Sequence, residues 1–537
     1  MWRPLYFISL RSNHIEQHAW DAEQHATVNN EPAMGRGGQK PAPPGSPITA
    51  RRWSKGEDLR PHTPQEYDDD LNNLWVVHGR RYDLAPFRDV HPGGATALDL
   101  CRGSDATRLF EQFHVMTDKH RKALKKFEVS EYKRTESPGG VEDTPPPRNE
   151  NERSAFHEDL KAMLRRHFPD KYDGHKCTYQ HAACLGATFA MYIVGWIGWW
   201  HGEVYTGVFL LGLCAWLIMA NLAHDGSHHA VSRRPWVNEI SLLTSSPLLY
   251  SYGSWYQQHC ASHHLETNDP DLDVDVQHHP FARWERSMWK DHNLTGIINL
   301  LWHFTAFLVS TANMSLTHPW KFVFVPWVRR HLGLELPAFF GPDNVEWASK
   351  QKKAKKHAPH ELAFFRISGR MHRTGFFDGW RGMLSVVAFA MSVAFVTVPF
   401  FRFDTLRTKL LFALGPYVVT SAFFFTVTQI SHVQAECQRP DPTKDYFQHQ
   451  ARTSLDYGCT SEFWRFATGG LNVQSIHHVM PVVNSCHYAK LYPEFYALCE
   501  KYDCAPATEP HILSAGYRHL KHVYDLGELY RGPDYAD

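Results

Sequence analysis

Four long apolar segments separate polar stretches in the C-terminal two thirds of the chain. Each offers about twenty apolar residues without an acidic or basic side chain, the length that an α-helix needs to cross a bilayer. These segments are 182–200, 204–223, 383–401 and 410–430. A further run, 294–314, contains a histidine and several polar residues, so it is expected to lie in the membrane interface or to cross. Buried helices of a large soluble enzyme are the competing interpretation.

The four predicted crossings form two hairpins, so the residues outside them are expected on one side of the membrane. The long connection 224–382 contains the basic cluster KQKKAKK at 350–356. By the positive-inside rule, this cluster predicts that the common side is the cytosol. The short basic connection 402–409 argues for the opposite orientation, but the long connection carries more charge.

The chain divides into four predicted zones. Residues 1–51 form a polar lead that is expected to be disordered, and its apolar start, LYFISL, is too short for a signal peptide. Residues 52–133 alternate short apolar runs with turn signals, which predicts a small soluble domain. Residues 134–154 are rich in Pro, Gly and charge, which predicts a flexible linker that tethers this domain without fixing it. The membrane domain then covers 155–537.

Composition narrows the possible functions. Lysine plus arginine (56) balances aspartate plus glutamate (56), so we expect no nucleic-acid partner. The 36 histidines and 18 tryptophans are both numerous. Histidine is the commonest metal ligand, and tryptophan is enriched at membrane–water interfaces. Ten cysteines without close paired spacing indicate a reducing compartment and no disulfide framework.

The soluble domain contains two histidines at a spacing that suits haem. His91 lies in a tight turn within DVHPGGATALDL, after the strand-like LWVVHGRRYDL, and GSDATRLFEQFH ends at His114. Two axial histidines give a haem without an open position, which suits electron transfer. The stretch resembles cytochrome b5, which implies haem b with His91 and His114 as its axial ligands. The spacing is one residue shorter than in free cytochrome b5, so His120 is an alternative to His114.

Histidines also cluster beside the predicted membrane segments. The motifs AHDGSHHA, WYQQHCASHHLETNDPDLD, QISHVQAE and GGLNVQSIHHVMP all fall on the predicted cytosolic side. Several pairs are four residues apart, so they share one helix face. A redox iron pair held by neutral imidazoles needs about eight nitrogen ligands. The candidate ligands are His224, His228, His259, His263, His264, His432, His477 and His478.

These motifs resemble the three histidine boxes of the membrane fatty acid desaturases, and most closely the front-end desaturases with a fused N-terminal cytochrome b5 domain. In that family the third box begins with glutamine, where this chain has Gln474, so Gln474 is expected to be a weak ligand or a hydrogen-bond partner. Two departures are Ile476, at a position that is usually acidic, and VMP after the histidine pair. His229 is not expected to be a ligand. Nearby acids expected to orient the imidazole rings are Asp225, Glu266 and Asp269.

The resemblance implies a multi-domain fold: a small α+β cytochrome b5-like haem domain, then an all-α integral membrane domain with about four transmembrane helices and a cytosolic di-iron cap. It implies an enzyme that uses O2 and two non-haem iron ions to insert a cis double bond on the carboxyl side of an existing one in a polyunsaturated acyl chain. The expected electron donor is cytochrome b5 reductase, and the expected membrane is the endoplasmic reticulum.

Three other functions stay open from the sequence. A sphingolipid long-chain-base desaturase shares the fused haem domain and the glutamine-type third box. A related di-iron hydroxylase would use the same iron site but leave oxygen in its product. A membrane-tethered electron carrier or regulatory binder would contain vestigial histidine boxes and no iron.

Overall fold

A computed structural model of the protein describes ten stretches of the chain: 73–131, 154–169, 174–269, 272–277, 282, 284, 295–341, 344, 359–437 and 445–528. All of them belong to one compact unit, Ser46–Asp537. The predicted lead 1–51, the basic cluster 350–356 and all of the predicted linker except Ser154 lie outside the described residues.

A three-stranded antiparallel sheet supports the N-terminal domain. Its strands are β1 (Trp75–Val77), β2 (Arg80–Tyr82) and β3 (Glu128–Glu131), in the order β1-β2-β3. His78 and Gly79 join β1 to β2, and both have a positive φ (51° and 71°), as a two-residue hairpin turn requires. Three short helices lie between β2 and β3: α1 (Ala95–Asp99), α2 (Thr107–Phe113) and α3 (Lys119–Leu124).

Within the described ranges of the second domain, five helical runs are long and apolar enough to cross a membrane, judged by length and composition. They belong to a series that begins with α4 (Ala155–His167), α5 (Tyr179–His201), α6 (Tyr205–Ser227), α7 (Pro235–Leu243), α8 (Tyr252–Trp255, extended by a π-helical segment, Tyr256–His263), α9 (Val274–Gln277) and α10 (Gly296–His331). The series continues with α11 (Pro359–Arg373), α12 (Trp380–Arg402) and α13 (Leu406–His432). The five candidate spans are α5, α6, α10, α12 and α13.

The long run α10 contains the apolar segment 294–314 and is one candidate span more than the four predicted. A straight helix of its 36 residues would be about 54 Å long, more than a bilayer needs. Two π-helical stretches, Asn313–Thr317 and Pro319–Phe324, interrupt it, and such stretches commonly kink helices.

Contacts place both ends of α10 on the same side as the histidine motifs. Near its start, the side-chain amide of Asn299 donates to the carbonyl of Val523. His519, one helical turn before Val523, contacts the carbonyl of Val433, the residue that follows His432. Its end is fixed by the Arg330–Asp378 ion pair (3.0 Å), just before α12 begins. A run that begins and ends on one side does not cross the bilayer once, so of the two possibilities left open by the sequence this arrangement favours the interface.

A cap of shorter helices covers the histidine side of the membrane helices. It contains α14 (Tyr446–Arg452), α15 (Glu462–Thr468), α16 (Gln474–Val479), α17 (Tyr488–Lys501) and α18 (Ile512–Glu528). Two strands, β4 (Leu455–Tyr457) and β5 (Ala507–Glu509), pair in parallel within it. The predicted fold class, an α+β haem domain followed by a helical membrane domain, is confirmed.

The haem domain is docked on the membrane domain, although the sequence predicted only a flexible tether. Asp99 is buried (2% exposed) and forms ion pairs with Arg88 and with Arg381 at the start of α12. Arg370 donates to the carbonyls of Leu100 and Arg102, each at 3.0 Å. A buried acid needs such partners to remain charged, so these contacts hold α1 against α11 and α12.

Candidate haem site and metal centre

His91 and His114 face each other in the N-terminal domain, with ring centroids 6.2 Å apart. The Nδ1 atom of His91 donates to the carbonyl of Gly94 (3.2 Å), and that of His114 donates to the carbonyl of Phe110 (2.7 Å). A carbonyl only accepts, so each neutral ring carries its proton on Nδ1 and keeps an Nε2 lone pair. Two such lone pairs fit the two axial positions of a haem iron.

Burial keeps these rings neutral. It lowers the pKa of His91 below its ordinary value, although the bond to Gly94 opposes the shift. Burial, together with the neighbouring His120, lowers the pKa of His114 to about 3. His120 stacks on His114 with ring centroids 4.4 Å apart, and its Nδ1 donates to the carbonyl of Thr117 (2.8 Å). The structure therefore pairs His91 with His114 and packs His120 against that pair.

Five of the predicted metal ligands converge in the membrane domain. Their ligand atoms lie within 4.8 Å of one another, and the five residues are His224, His228, His259, His264 and His477. The Nε2 atom of His259 lies 3.1 Å from that of His224, 2.9 Å from that of His228 and 3.1 Å from that of His264. One ring nitrogen has either one proton or one lone pair, so it cannot satisfy three such neighbours. A bound cation would accept a lone pair from each of these Nε2 atoms.

The other three predicted histidine ligands, His263, His432 and His478, form a second group. Each donates its Nδ1 proton to an oxygen of another element. His263 contacts Asp273 (3.0 Å), His432 contacts the carbonyl of Thr453 (3.0 Å), and His478 contacts Oε1 of Gln450 (3.0 Å). These acceptors leave three Nε2 lone pairs facing one another, which is the donor set of a metal site.

Gln474 lies beside the second group. Its amide Nε2 is 3.1 Å from Nε2 of His432 and 3.4 Å from Nε2 of His478. Its Oε1 is buried and has no hydrogen-bond partner among the described residues. The two amide atoms exchange places by a rotation of 180°. Gln474 is therefore placed to offer oxygen to an ion between these rings.

Asp225 and Glu266, two of the acids predicted to orient the imidazole rings, bond to other residues. Asp225 accepts from the Oγ (2.9 Å) and the main-chain N–H (3.2 Å) of Ser485, and its carboxylate lies 4.0 Å from Nδ1 of His224. Glu266 pairs with Arg108 of the haem domain (2.9 Å). The third acid, Asp269, accepts from the main-chain N–H of Leu272 (3.0 Å).

Groups outside the predicted set contact the outer nitrogens of the cluster, among them Asp273, Gln450, the Thr453 carbonyl and the hydroxyls of Thr267 and Tyr488. Tyr488 lies 3.2 Å from Nδ1 of His477. The only sequence signal for any of them was the acidic stretch NDPDLD after the second box, which contains Asp273.

The electrostatic environment favours neutral rings at most of these positions. Burial and the neighbouring histidines lower the pKa values of His228, His259, His264, His477 and His478 well below their ordinary values. His263 differs, because Asp273 raises its pKa against the opposing effect of burial. Neutral imidazole is the ligand form that iron binds.

A cavity with both polar and apolar side chains in its wall reaches the metal cluster. Its wall includes His224, His259, His263, His432 and Gln474. Its remaining lining contains many apolar and aromatic side chains, among them Met219, Tyr250, Trp255, Trp284, Met314, Phe424, Phe425 and Leu471. Asn268, Asp273, Asp275, Thr428 and Gln429 are polar members of the same wall. The apolar and aromatic side chains beside the cluster suit the hydrocarbon part of a ligand.

Comparison with known proteins identifies the class of this site. The family described as fatty acid desaturase matches residues 195–508, more than half of the chain, so the chain belongs to the fatty acid desaturase family. The cytochrome b5-like heme/steroid binding domain matches residues 57–133. The chain is therefore an oxidoreductase, with haem implied by the first domain and a di-iron centre by the second.

Individual relatives align over nearly their full length. An acyl-lipid omega-13 desaturase of Chlamydomonas reinhardtii is 29% identical over 88% of this chain and 95% of its own length. An acyl-lipid (8-3)-desaturase of Dictyostelium discoideum is 24% identical over 87% of this chain and 93% of its own. A Delta(5) fatty acid desaturase of the same organism is 25% identical over 91% and 96%. The predicted resemblance to front-end desaturases with a fused haem domain is confirmed.

Proposed function

We propose that this protein is a front-end acyl-lipid desaturase, which inserts a cis double bond on the carboxyl side of an existing one in a polyunsaturated chain. The convergence of eight histidines beside a cavity with an aromatic wall is the observation that carries this proposal. Relatives named as acyl-lipid desaturases support a lipid-linked acyl substrate.

Each histidine group would hold one iron. The first iron would be bound by His224, His228, His259, His264 and His477, and the second by His263, His432 and His478 with Gln474 beside them. Iron in such a set of imidazoles supplies O2 activation and the removal of hydrogen from unactivated carbon. The chain's own contribution is to fix the rings through Asp273, Gln450 and the Thr453 carbonyl.

The cavity would position the acyl chain and exclude water. Tyr250, Trp255 and Phe425 are all at most 3% exposed, so bulk solvent has little access to this part of the wall. Exclusion of water would protect the reaction from side reactions. The depth of the cavity beyond the histidines would then determine which carbons react.

The docked haem domain would deliver electrons over a short route. Gln112, two residues before His114, donates to the carbonyl of His478 (2.9 Å). Arg108, on the same helix α2, donates to the carbonyl of Leu265 (2.7 Å), next to His264. Helix α2 thus contacts both the second and the third histidine box. We assign cytochrome b5 reductase as the partner that reduces this domain.

The membrane and orientation follow from the same assignment. Candidate spans α5, α6, α12 and α13 would cross the bilayer of the endoplasmic reticulum, with the haem domain and the histidine cap in the cytosol. The placement of the haem domain against the histidine side supports a common compartment for both, because Gln112 and Arg108 contact the boxes directly.

Product analysis tests the proposed reaction. Yeast expressing the chain is fed polyunsaturated fatty acids, and the double bonds of its lipids are located by gas chromatography and mass spectrometry. We expect a new cis bond on the carboxyl side of an existing one, and none from the His263→Ala control. Desaturated long-chain bases, a hydroxylated product or unchanged lipids would each contradict the proposal.

Gln474 provides a test of the second metal group. Gln474→His places an imidazole where the amide now lies 3.1 Å from His432, so we expect altered or lost activity at unchanged haem content. Gln474→Asn keeps the amide group but shortens the side chain by one methylene. It is the matched control for whether the amide must reach the histidines. Wild-type rate and product from Gln474→His would show that this position has no special role.

A further inference from the structure

Trp284 lines the cavity that reaches the histidine cluster, yet it belongs to none of the histidine boxes. Its side chain is 1% exposed, and its ring packs against Phe425 with centroids 5.5 Å apart. Its Nε1–H donates to Nδ1 of His303 (3.1 Å), and His303 is not part of the cavity lining. The position of this wall is therefore fixed by a polar contact behind it.

His303 and His519 continue that contact as a buried chain. Their Nε2 atoms are 3.0 Å apart, and Nδ1 of His519 lies 2.9 Å from the carbonyl of Val433. Both side chains are at most 2% exposed. The chain thus runs from the cavity wall through α10 and α18 to the residue that follows His432.

The two ends of this chain fix the direction of every bond in it. Indole Nε1–H only donates, so Nδ1 of His303 accepts and its proton lies on Nε2. The Val433 carbonyl only accepts, so His519 carries its proton on Nδ1 and accepts from His303 through Nε2. Both rings are consequently neutral, in agreement with the burial that lowers the pKa of His519 to about 4.

We propose that Trp284, held in place by the His303–His519 pair, is a specificity-determining wall of the acyl cavity. This inference rests on the proposed function and adds to it the residues that decide which acyl chains fit. Trp284 would touch the chain, whereas His303 and His519 are positioning residues that act through it. His519 bonds to Val433, the residue that follows His432. Trp284 and the second metal group would therefore keep a fixed distance from each other.

Removal of the indole should change which substrates react. Trp284→Ala opens the cavity by the volume of a bicyclic ring, and we expect the ratio of products from longer and shorter fed chains to change about tenfold or more. Trp284→Phe keeps an aromatic wall but removes the Nε1–H donor, and a smaller change in the same direction is expected. Trp199→Phe is the matched control, because Trp199 also donates from a buried position, to the carbonyl of Phe412, and lies away from this cavity.

Variants of His519 separate positioning from general structure. His519→Gln offers an amide oxygen to His303 and an amide N–H to Val433, so it should preserve the wild-type product ratio. His519→Leu removes both bonds and should shift the ratio as Trp284→Phe does. The double variant Trp284→Phe/His519→Leu should show no further shift, because both changes break the same chain.

The experiment is competitive feeding of two polyunsaturated acids of different length to yeast expressing each variant, with protein and haem levels as folding controls. The inference is supported if the product ratio changes in the Trp284 variants and in His519→Leu but stays at the wild-type value in His519→Gln. Equal ratios in wild type and Trp284→Ala overturn it while leaving the desaturase function intact. Absence of any product from the wild type overturns the proposed function instead.

Discussion

The protein contains two histidine sites that are built in opposite ways. In the haem domain, His91 and His114 come from one short stretch of chain, and main-chain carbonyls within four residues of each fix both tautomers. In the membrane domain, eight histidines come from four distant stretches. Groups elsewhere in the chain, such as Asp273, Thr453 and Gln450, fix the rings of the second group.

This difference follows from what each site has to do. A two-ligand haem site needs only two lone pairs on opposite faces of one ring system, and a small local fold provides them. A site with eight imidazole ligands needs every lone pair directed inward, and a helix presents only neighbours three or four residues apart on one face. Several helices must therefore meet, and their packing becomes part of the site. If the two sites are independent, each can be removed without loss of the other.

The largest effect is expected from a change within the histidine cluster. His478→Ala removes an imidazole from the second group and leaves the partners of His263 and His432 in place. We expect loss of non-haem iron and a fall in activity of more than about 100-fold, since even outer partners of ligands contribute 10–100-fold. Metal analysis of the purified protein, alongside the haem absorbance, measures both sites. A variant that keeps its iron and activity would exclude His478 as a ligand.

The converse change removes the haem site. His114→Ala takes away one of the two facing lone pairs, so we expect loss of the low-spin haem spectrum and of reductase-driven activity at unchanged non-haem iron. His120→Ala serves as the control, because His120 stacks behind His114. A variant of His114 that keeps a normal haem spectrum, with loss in His120→Ala, would reverse the assignment.

An intermediate effect is expected from an outer partner of the metal cluster. Asp273→Asn removes the carboxylate that orients His263 and raises its pKa. We expect a loss of about 10–100-fold in iron affinity or activity. Glu266→Gln is the matched control, because Glu266 pairs with Arg108. Equal losses in the two variants would mean that charge near the site matters and orientation of His263 does not.

The smallest effect is expected at the contact between the two regions. Asp99→Asn removes the buried carboxylate that pairs with Arg381, and breaking such a pair commonly costs about 3–5 kcal/mol. The haem domain should then undock more often, with faster hydrogen exchange in α2 and severalfold slower oxidation of the reduced haem. Asp89→Asn, which alters the exposed partner of Arg88, should change neither. Unchanged exchange in Asp99→Asn would show that this pair does not hold the domains together.

The sequence predicted the parts of the protein that depend on local spacing. The His91–His114 pair follows from one short stretch of chain, and the histidine boxes and apolar spans follow from spacing along single helices. The structure places the rings of His91 and His114 6.2 Å apart and groups the box histidines. The acids expected to orient the rings were chosen because they are close in sequence, and Asp225 and Glu266 have other partners. Gln450 and Thr453 could not be identified in this way. Packing of α14 against α16 brings Gln450 to His478, and Thr453 meets His432 across 21 residues of chain.

Docking of the haem domain was missed for a related reason. A Pro- and Gly-rich linker sets how far a domain can move, but it does not reveal whether a binding surface exists. That surface depends on Asp99, Arg370 and Arg381, which look like ordinary surface charges in the sequence. The His303–His519 pair was missed likewise, since its two members are more than 200 residues apart.

If the eight converging histidines hold an iron pair distinct from the haem, the purified full-length protein contains both kinds of iron in a fixed ratio. We expect about two non-haem irons per haem, falling in His478→Ala while the haem remains. A wild-type protein that contains haem but no non-haem iron would rule out the iron pair and leave an electron carrier in place of an oxygenase-type enzyme.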